Sequence, residues 1–502
     1  MLRTSRLLMG LCCTPLLASC VFLLDYDALE SQGADTGEGG SGAASAGAPP
    51  VTLGGAGGEG GAGCGECDDG DPCTIDICDE TGETPECLHE ATIGLQLDGF
   101  EQVVPGQQHL RVSLAAGPDA FYLSSFEVTD DTPSITLYRL AADGTELESL
   151  GSDLLTGLAE GTPASNVGLV VDPTLGLAVH GFVAIKPKVG DLPPRVFHIV
   201  NRAGKTTSEL VGMSYRAENP WVFPQALAIG NSVHGAWIQA DGTIAVHEVG
   251  AVLQPQPFGN TALPATTLSL LATAGNQPAV MFTSHTDDGP LGAYVETRGQ
   301  NRSEISECQT EPGTYVSSSV IGTQLPGLWL GNITKGGDDY LTTGGVTLAC
   351  GSNNQCTPVT DECEAGDLGN GVRNIAGATV RFDADPPGVI YSVLALPQIA
   401  LKPGSDTEVE AKLSLLLGRA DFSDEGAGAS TTIGGSADEM GLMVVARQDT
   451  SEELGFVGPD WPAVGILPSK QVAVAWLQLD EAAEQTELHV QRYAMCLPAE
   501  EE

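Results

Sequence analysis

Residues 91–502 are cut at short intervals by Gly, Pro, Asp and Asn, and between the cuts they run apolar or alternate apolar with polar. Such runs occupy 110–114, 120–123, 134–140, 168–171, 181–185, 195–200, 232–238, 244–249, 279–282 and 292–296. Period-two patterning rich in β-branched and aromatic residues, bounded by turn residues, predicts strands. The 64 glycines and 31 prolines of the 502-residue chain argue against long helices. The best helix candidate is 408–420, where Val409, Leu413, Leu415, Leu416 and Leu417 crowd together without a proline. Apolar residues make up 42 % of the chain, enough for a sizeable core. The expected class is therefore all-β.

A weak repeat runs through this region. A strand ends in a polar turn and another strand leads out at Asp143-Gly144, Ala203-Gly204, Asp241-Gly242 and Arg298-Gly299, with the glycines roughly 40 to 60 residues apart. Strands at 472–479 and 487–493 close the series. The pattern resembles the divergent blades of β-propellers, whose repeats recur every 40–50 residues or so. That resemblance implies six to eight blades over 91–502, with 350–363 and 403–434 as loops off the blades. Tandem β-sandwiches are the rival architecture.

The chain has 13 cysteines. Cys12 and Cys13 fall in the N-terminal apolar run, and Cys20 follows it. The other ten are Cys64, Cys67, Cys73, Cys78 and Cys87, then Cys308, Cys350, Cys356, Cys363 and Cys496. An even number in an exported chain reads as disulfides. Each group holds five, so if all ten pair, at least one bridge must join the two groups. Residues 64–90 contain Cys67-Asp68-Asp69-Gly70-Asp71-Pro72-Cys73-Thr74-Ile75-Asp76-Ile77-Cys78 and then Cys87-Leu88-His89. This resembles a small Cys-rich module of bacterial surface and secreted proteins, which implies an extracellular setting and carries no chemistry to transfer. Three readings of its residues stay open: a disulfide knot, since so short a segment needs staples; a zinc site built on the Cys64-x2-Cys67 spacing; and calcium held by Asp68, Asp69, Asp71 and Asp76, although no EF-hand glutamate closes the loop.

The N-terminus opens with Arg3 and Arg6, continues apolar from Leu7, and ends in Leu17-Ala18-Ser19-Cys20. A charged head, a short apolar run and small residues before a cut mark an export signal. The cysteine at the cut resembles a bacterial lipobox. The resemblance implies removal of 1–19, lipidation of Cys20, and attachment to the cell envelope, in the outer membrane of a Gram-negative bacterium, with plain secretion and an uncleaved anchor as alternatives. A single acyl chain binds a membrane marginally, so a stable anchor takes more than one. Residues 20–63 are Gly-, Ala- and Ser-rich, with little to bury, which predicts a disordered tether. Within it, Gly55, Gly57 and Gly60 match a dinucleotide fingerprint with no strand before them, so the match is compositional.

With 21 basic and 66 acidic residues the formal charge is -45. Such a chain repels nucleic acid, whose binding needs basic clusters, and repels anionic lipid, so lipid must supply the membrane contact. There is no G-x-S-x-G elbow, H-E-x-x-H helix or phosphate loop. The eight histidines, His89, His109, His180, His198, His234, His247, His285 and His489, are scattered and read as packed or exposed strand residues. His285-Thr286-Asp287-Asp288-Gly289 and Asp383-Ala384-Asp385 are acidic loops that read as ordinary turns, and the five tryptophans read as core. No catalytic, metal or cofactor residue is assigned. The expected function is a surface-exposed binding or structural lipoprotein with a protein or glycan partner. The alternatives are an exported hydrolase or lyase with its site on a propeller channel, and a calcium-dependent adhesion protein.

Overall fold

A strand buried on both faces reads as an unbroken apolar run, and Gln471–Asp480 is such a strand. Its Val472, Val474 and Trp476 pack with Leu413, Leu415 and Leu417 of one neighbouring sheet. Its Ala473, Ala475 and Leu477 pack with Phe121, Leu123 and Leu140 of another. Fully burying each large aliphatic side chain contributes about 1.5–3 kcal/mol. The core is thus a series of apolar slabs between adjacent sheets.

The computed structural model describes residue 67 and residues 69–497 apart from intervening segments, the longest being 305–327 and 422–441, with backbone alone for the strands between 328 and 366. All strand pairs are antiparallel, and no helix occurs among the described residues. Besides a two-stranded hairpin, Thr74–Asp79 with Glu86–Ala91, the described residues form seven sheets of four or five strands. Each of the first six is built from consecutive strands in sequence order along its main path. In the first, Gln108–Ala116, Ala120–Thr129, Thr132–Ala141 and Leu147–Gly151 succeed one another from inner to outer edge. The seventh joins the two ends of the domain: Asp460–Ile466, Gln471–Asp480 and Gln485–Cys496 are completed at the outer edge by Gly94–Leu97 and Gln102–Val104. The inner strands of the sixth, seventh, first, second, third and fourth sheets pack side by side in that order. This is β-propeller architecture, with seven blades among the described residues, inside the expected six to eight. Tandem sandwiches would pack two sheets face to face with crossed connections, which blades of consecutive strands do not do.

Three local expectations are corrected. Glu408–Asp421 is a strand, paired along both edges. Ala411, Leu413, Leu415 and Leu417 are fully buried on one face, so the leucine density is period two. The stretch 403–434 is accordingly no simple loop. Cys356–Pro358 also adds a strand to the fifth blade, inside the other proposed insertion. Finally, the polar turns do not occupy equivalent places. Those at Gly144, Gly204 and Gly299 join the third and fourth strands of their blades, whereas Asp241-Gly242 joins the second and third. There Asp241 Oδ1 accepts from the Thr243 N–H at 3.0 Å and its hydroxyl at 2.6 Å, while Gly242 sits at φ 82°. That turn chemistry serves any hairpin.

Close packing between blades leaves specific room for glycine. A Cβ on Gly235 of the third blade would lie 2.2–2.4 Å from the Phe182 ring of the second. Phe182 is itself fully buried, so the ring cannot swing away. Gly235→Ala is expected to destabilise the protein by about 2–3 kcal/mol, read as a lower urea midpoint at unchanged slope.

Candidate functional site

The disulfide framework positions the first candidate. Cys67 bonds Cys87, Cys73 bonds Cys496, and Cys78 is also disulfide-bonded. The Cys73–Cys496 bridge joins the two cysteine groups, as their odd counts require if all pair. Cys350 and Cys356 are direct backbone partners across two strands. Cys20, Cys64, Cys308 and Cys363 lie outside the described residues, as do both acidic loops named above and Trp221.

On this stapled hairpin Asp76 and His89 face each other in register, and Ile77 pairs with Leu88. Alternation puts Asp76 and His89 on one face and exposed Ile75, Ile77 and Leu88 on the other. His89 Nδ1 is 2.5 Å from Asp76 Oδ1 and 3.3 Å from Asp69 Oδ2. The remaining carboxylate oxygens are held by the loop. Asp69 Oδ1 accepts from the Asp71 N–H at 2.8 Å and the Thr74 hydroxyl at 2.9 Å, and Asp76 Oδ2 accepts from the Asp69 N–H at 3.2 Å. Asp76 raises the imidazole's affinity for its proton, and the Asp71 N–H in turn lowers the Asp69 pKa. The four-aspartate calcium set does not assemble among the described residues: Asp71 Oδ1 is taken by the Cys73 N–H at 2.8 Å, and Asp68 is outside them. A zinc site using Cys67 is excluded by its bridge to Cys87.

A second cluster was invisible in the sequence. In the second blade His180 Nδ1 lies 3.0 Å from His198 Nε2, and His198 Nδ1 lies 2.9 Å from Glu209 Oε1. His180 Nε2 lies 3.5 Å from Asp172 Oδ2. Two neutral imidazoles bring two N–H protons, enough to serve the two short contacts. Burial lowers the pKa of both rings, against the pull of Glu209 and Asp172, in keeping with that neutral assignment. His180 and His198 are each under 10 % exposed, so the chain has one wet end, at Glu209. It is a largely buried polar network that reaches solvent at Glu209.

A third cluster looks like hydrolytic machinery by composition. His109, Ser125 and Glu127 are 0, 0 and 2 % exposed. His109 Nδ1 receives the Ser125 hydroxyl at 2.7 Å, and its Nε2 faces Val104 O at 3.1 Å. Glu127 Oε1 sits 3.7 Å from the same Nδ1 and accepts from Tyr138 at 2.9 Å, while its Oε2 accepts from Thr136 at 3.0 Å. A catalytic triad needs serine and acid on opposite ring nitrogens and a path for substrate. Neither holds, so this cluster ties the first blade together and, through Val104, to the seventh. His489 stacks on buried Trp476 and contacts Glu101 Oε1 at 2.6 Å. Trp237 and Trp476 are both core residues, as expected. Of all these groups, only the Asp69, Asp76 and His89 set brings three metal-ligating side chains together among the described residues.

No protein-family model matches the chain, and neither does any curated protein sequence. Solved structures similar to it include AofleA from Arthrobotrys oligospora, at 10 % identity and TM-score 0.37 over 79 % of this chain and 99 % of that one. An ulvan lyase bound to a GlcA-Rha3S saccharide is similar at 13 % identity and TM-score 0.41, over 77 % and 95 % of the two chains. The α-L-arabinofuranosidase of Fusarium graminearum is similar at 7 % identity and TM-score 0.38, over 77 % and 92 %.

Proposed function

We propose that this chain is an exported, lipid-anchored envelope protein whose propeller serves as a binding body for a protein or glycan. The observation that carries the reading is the Cys73–Cys496 bridge, which staples the Cys-rich hairpin to the last strand of the propeller. Disulfides of this kind form and persist outside the reducing cytoplasm. Export then gives the lipobox at Cys20 its meaning, and the Gly-rich segment after it becomes a spacer between lipid and propeller. The net charge of -45 keeps such a body soluble and off anionic headgroups. What favours binding among the described residues is that the His109 and His198 clusters lie in the blades' interior, where they tie strands together.

Expression in a Gram-negative host with radioactive palmitate tests the anchor. Label is expected on the native chain, with none on Cys20→Ala, and an unlabelled cytosolic precursor would sink the reading. Incubating the purified protein with an array of envelope and matrix polysaccharides separates the roles. Retention without change in polysaccharide length supports a binding protein, whereas release of shorter saccharides would put a hydrolase or lyase in its place.

A further inference from the structure

We propose that Asp69, Asp76 and His89 form a site for one divalent transition-metal ion of the zinc type, an ion-binding function that goes beyond the binding role above. The ligand atoms of the three side chains all lie within 4.8 Å of one another. Two carboxylate oxygens converge on a single ring nitrogen, at 2.5 and 3.3 Å. One N–H satisfies one of them well, so the other faces that nitrogen without a proton of its own. A dication between the three atoms serves all of them at once. At zinc–nitrogen and zinc–oxygen distances of about 2.0–2.1 Å, tetrahedral ligands stand roughly 3.3 Å apart. The His89–Asp69 separation already has this value, and Asp76 needs to withdraw by less than about 1 Å.

The surroundings fit a built site. Each carboxylate has its second oxygen fixed by the loop, which aims the first. Each ligand also lies two residues from a disulfide cysteine: Asp69 from Cys67, Asp76 from Cys78 and His89 from Cys87. The ligands are held by covalent staples before any ion arrives, so binding costs little ordering entropy. One imidazole with two carboxylates suits zinc or manganese, whereas calcium takes six to eight oxygens. Partial exposure of all three leaves positions for water and a way in.

The test is isothermal titration of zinc chloride into the purified full-length protein, with disulfides verified by thiol counting. One equivalent is expected to bind, with a dissociation constant weakened about 100-fold in His89→Gln and in Asp76→Asn. Asp71→Asn, whose side chain can still accept the Cys73 N–H, is expected to bind as the native chain does. These exposed or half-buried positions lie off the apolar core, and an unchanged thermal midpoint without metal shows that each variant folds. Equal zinc affinity in His89→Gln and the native chain would overturn the proposal, as would calcium displacing zinc at equal concentration, or no saturable binding below millimolar zinc.

Discussion

Replacing Cys73 and Cys496 together by serine is expected to lower the thermal midpoint by about 3–6 °C, reflecting a loss of roughly 3–5 kcal/mol. The bridge spans 423 residues of sequence, so its removal frees a very long loop in the unfolded chain. In the folded state it acts where the two ends of the domain meet in the seventh sheet. Gly94–Leu97 and Gln102–Val104 complete the seventh blade by pairing with Gln485–Cys496, and Gly94 pairs with Cys496 itself. The first-arriving outer strand and the last strand of the chain are thus held by a short hydrogen-bonded ladder and one covalent bond. Only the bond survives a transient opening of the ladder. Calorimetry with and without reductant checks the assignment. Reductant should shift the native protein by more than it shifts the double variant, in which only the remaining bridges, such as Cys67–Cys87, are left to lose. A double variant melting within a degree of the native chain would mean that the apolar slabs on either side of the seventh blade hold its strands together unaided.

The strands were legible because propeller blades are buried on both faces, which leaves apolar runs such as 472–477 in plain view. The same double burial produced the error at Glu408–Asp421. Leu413, Leu415, Leu416 and Leu417 fill two faces of a strand, and a dense leucine run without proline has no period that excludes a helix. Turn chemistry was legible residue by residue, but its place in the blade was not, since Asp241 and Thr243 form the same local bonds whichever strands they connect. The hairpin cluster was half legible. Asp69 and Asp76 stood out by charge, but His89 joins them only through the register that pairs it with Asp76 across 13 residues. His180 and His198 lie 18 residues apart on adjacent strands, at a diagonal rather than a directly paired position. No sequence spacing encodes such a contact. Both clusters are products of register, which turn residues and covalent bridges set and a one-dimensional pattern does not display.

Stability is expected to fall as pH drops from about 6.5 toward 4, starting well above the range in which ordinary carboxylates titrate. Four core histidines drive it. Burial lowers the pKa of His109 to about 4, and lowers those of His180, His198 and His247 as well. In the unfolded chain all four return to about 6.5. Below that value the unfolded state binds more protons than the folded one, so acid favours unfolding. Above it both states are neutral at these sites and the contribution is complete. His109 alone accounts for about 3 kcal/mol between the two limits. Opposing terms are smaller in number. Burial raises the Glu127 pKa, which favours the folded state at low pH, and the raised pKa of His89 does the same at an exposed, solvent-screened position. Urea unfolding from pH 8 to pH 4 measures the balance. A plateau above pH 7 should give way to a falling limb near pH 5.5, to which His109 contributes about one proton per chain, roughly 1.4 kcal/mol per pH unit, and the other three rings add in the same direction. His109→Gln should be less stable than the native chain at pH 8, because Gln fits the Ser125 and Val104 partners imperfectly, yet lose about one proton from that slope. A midpoint flat from pH 8 to pH 4.5 would mean that these rings charge freely in the folded protein, and that the sealed networks around His109 and His198 open to water.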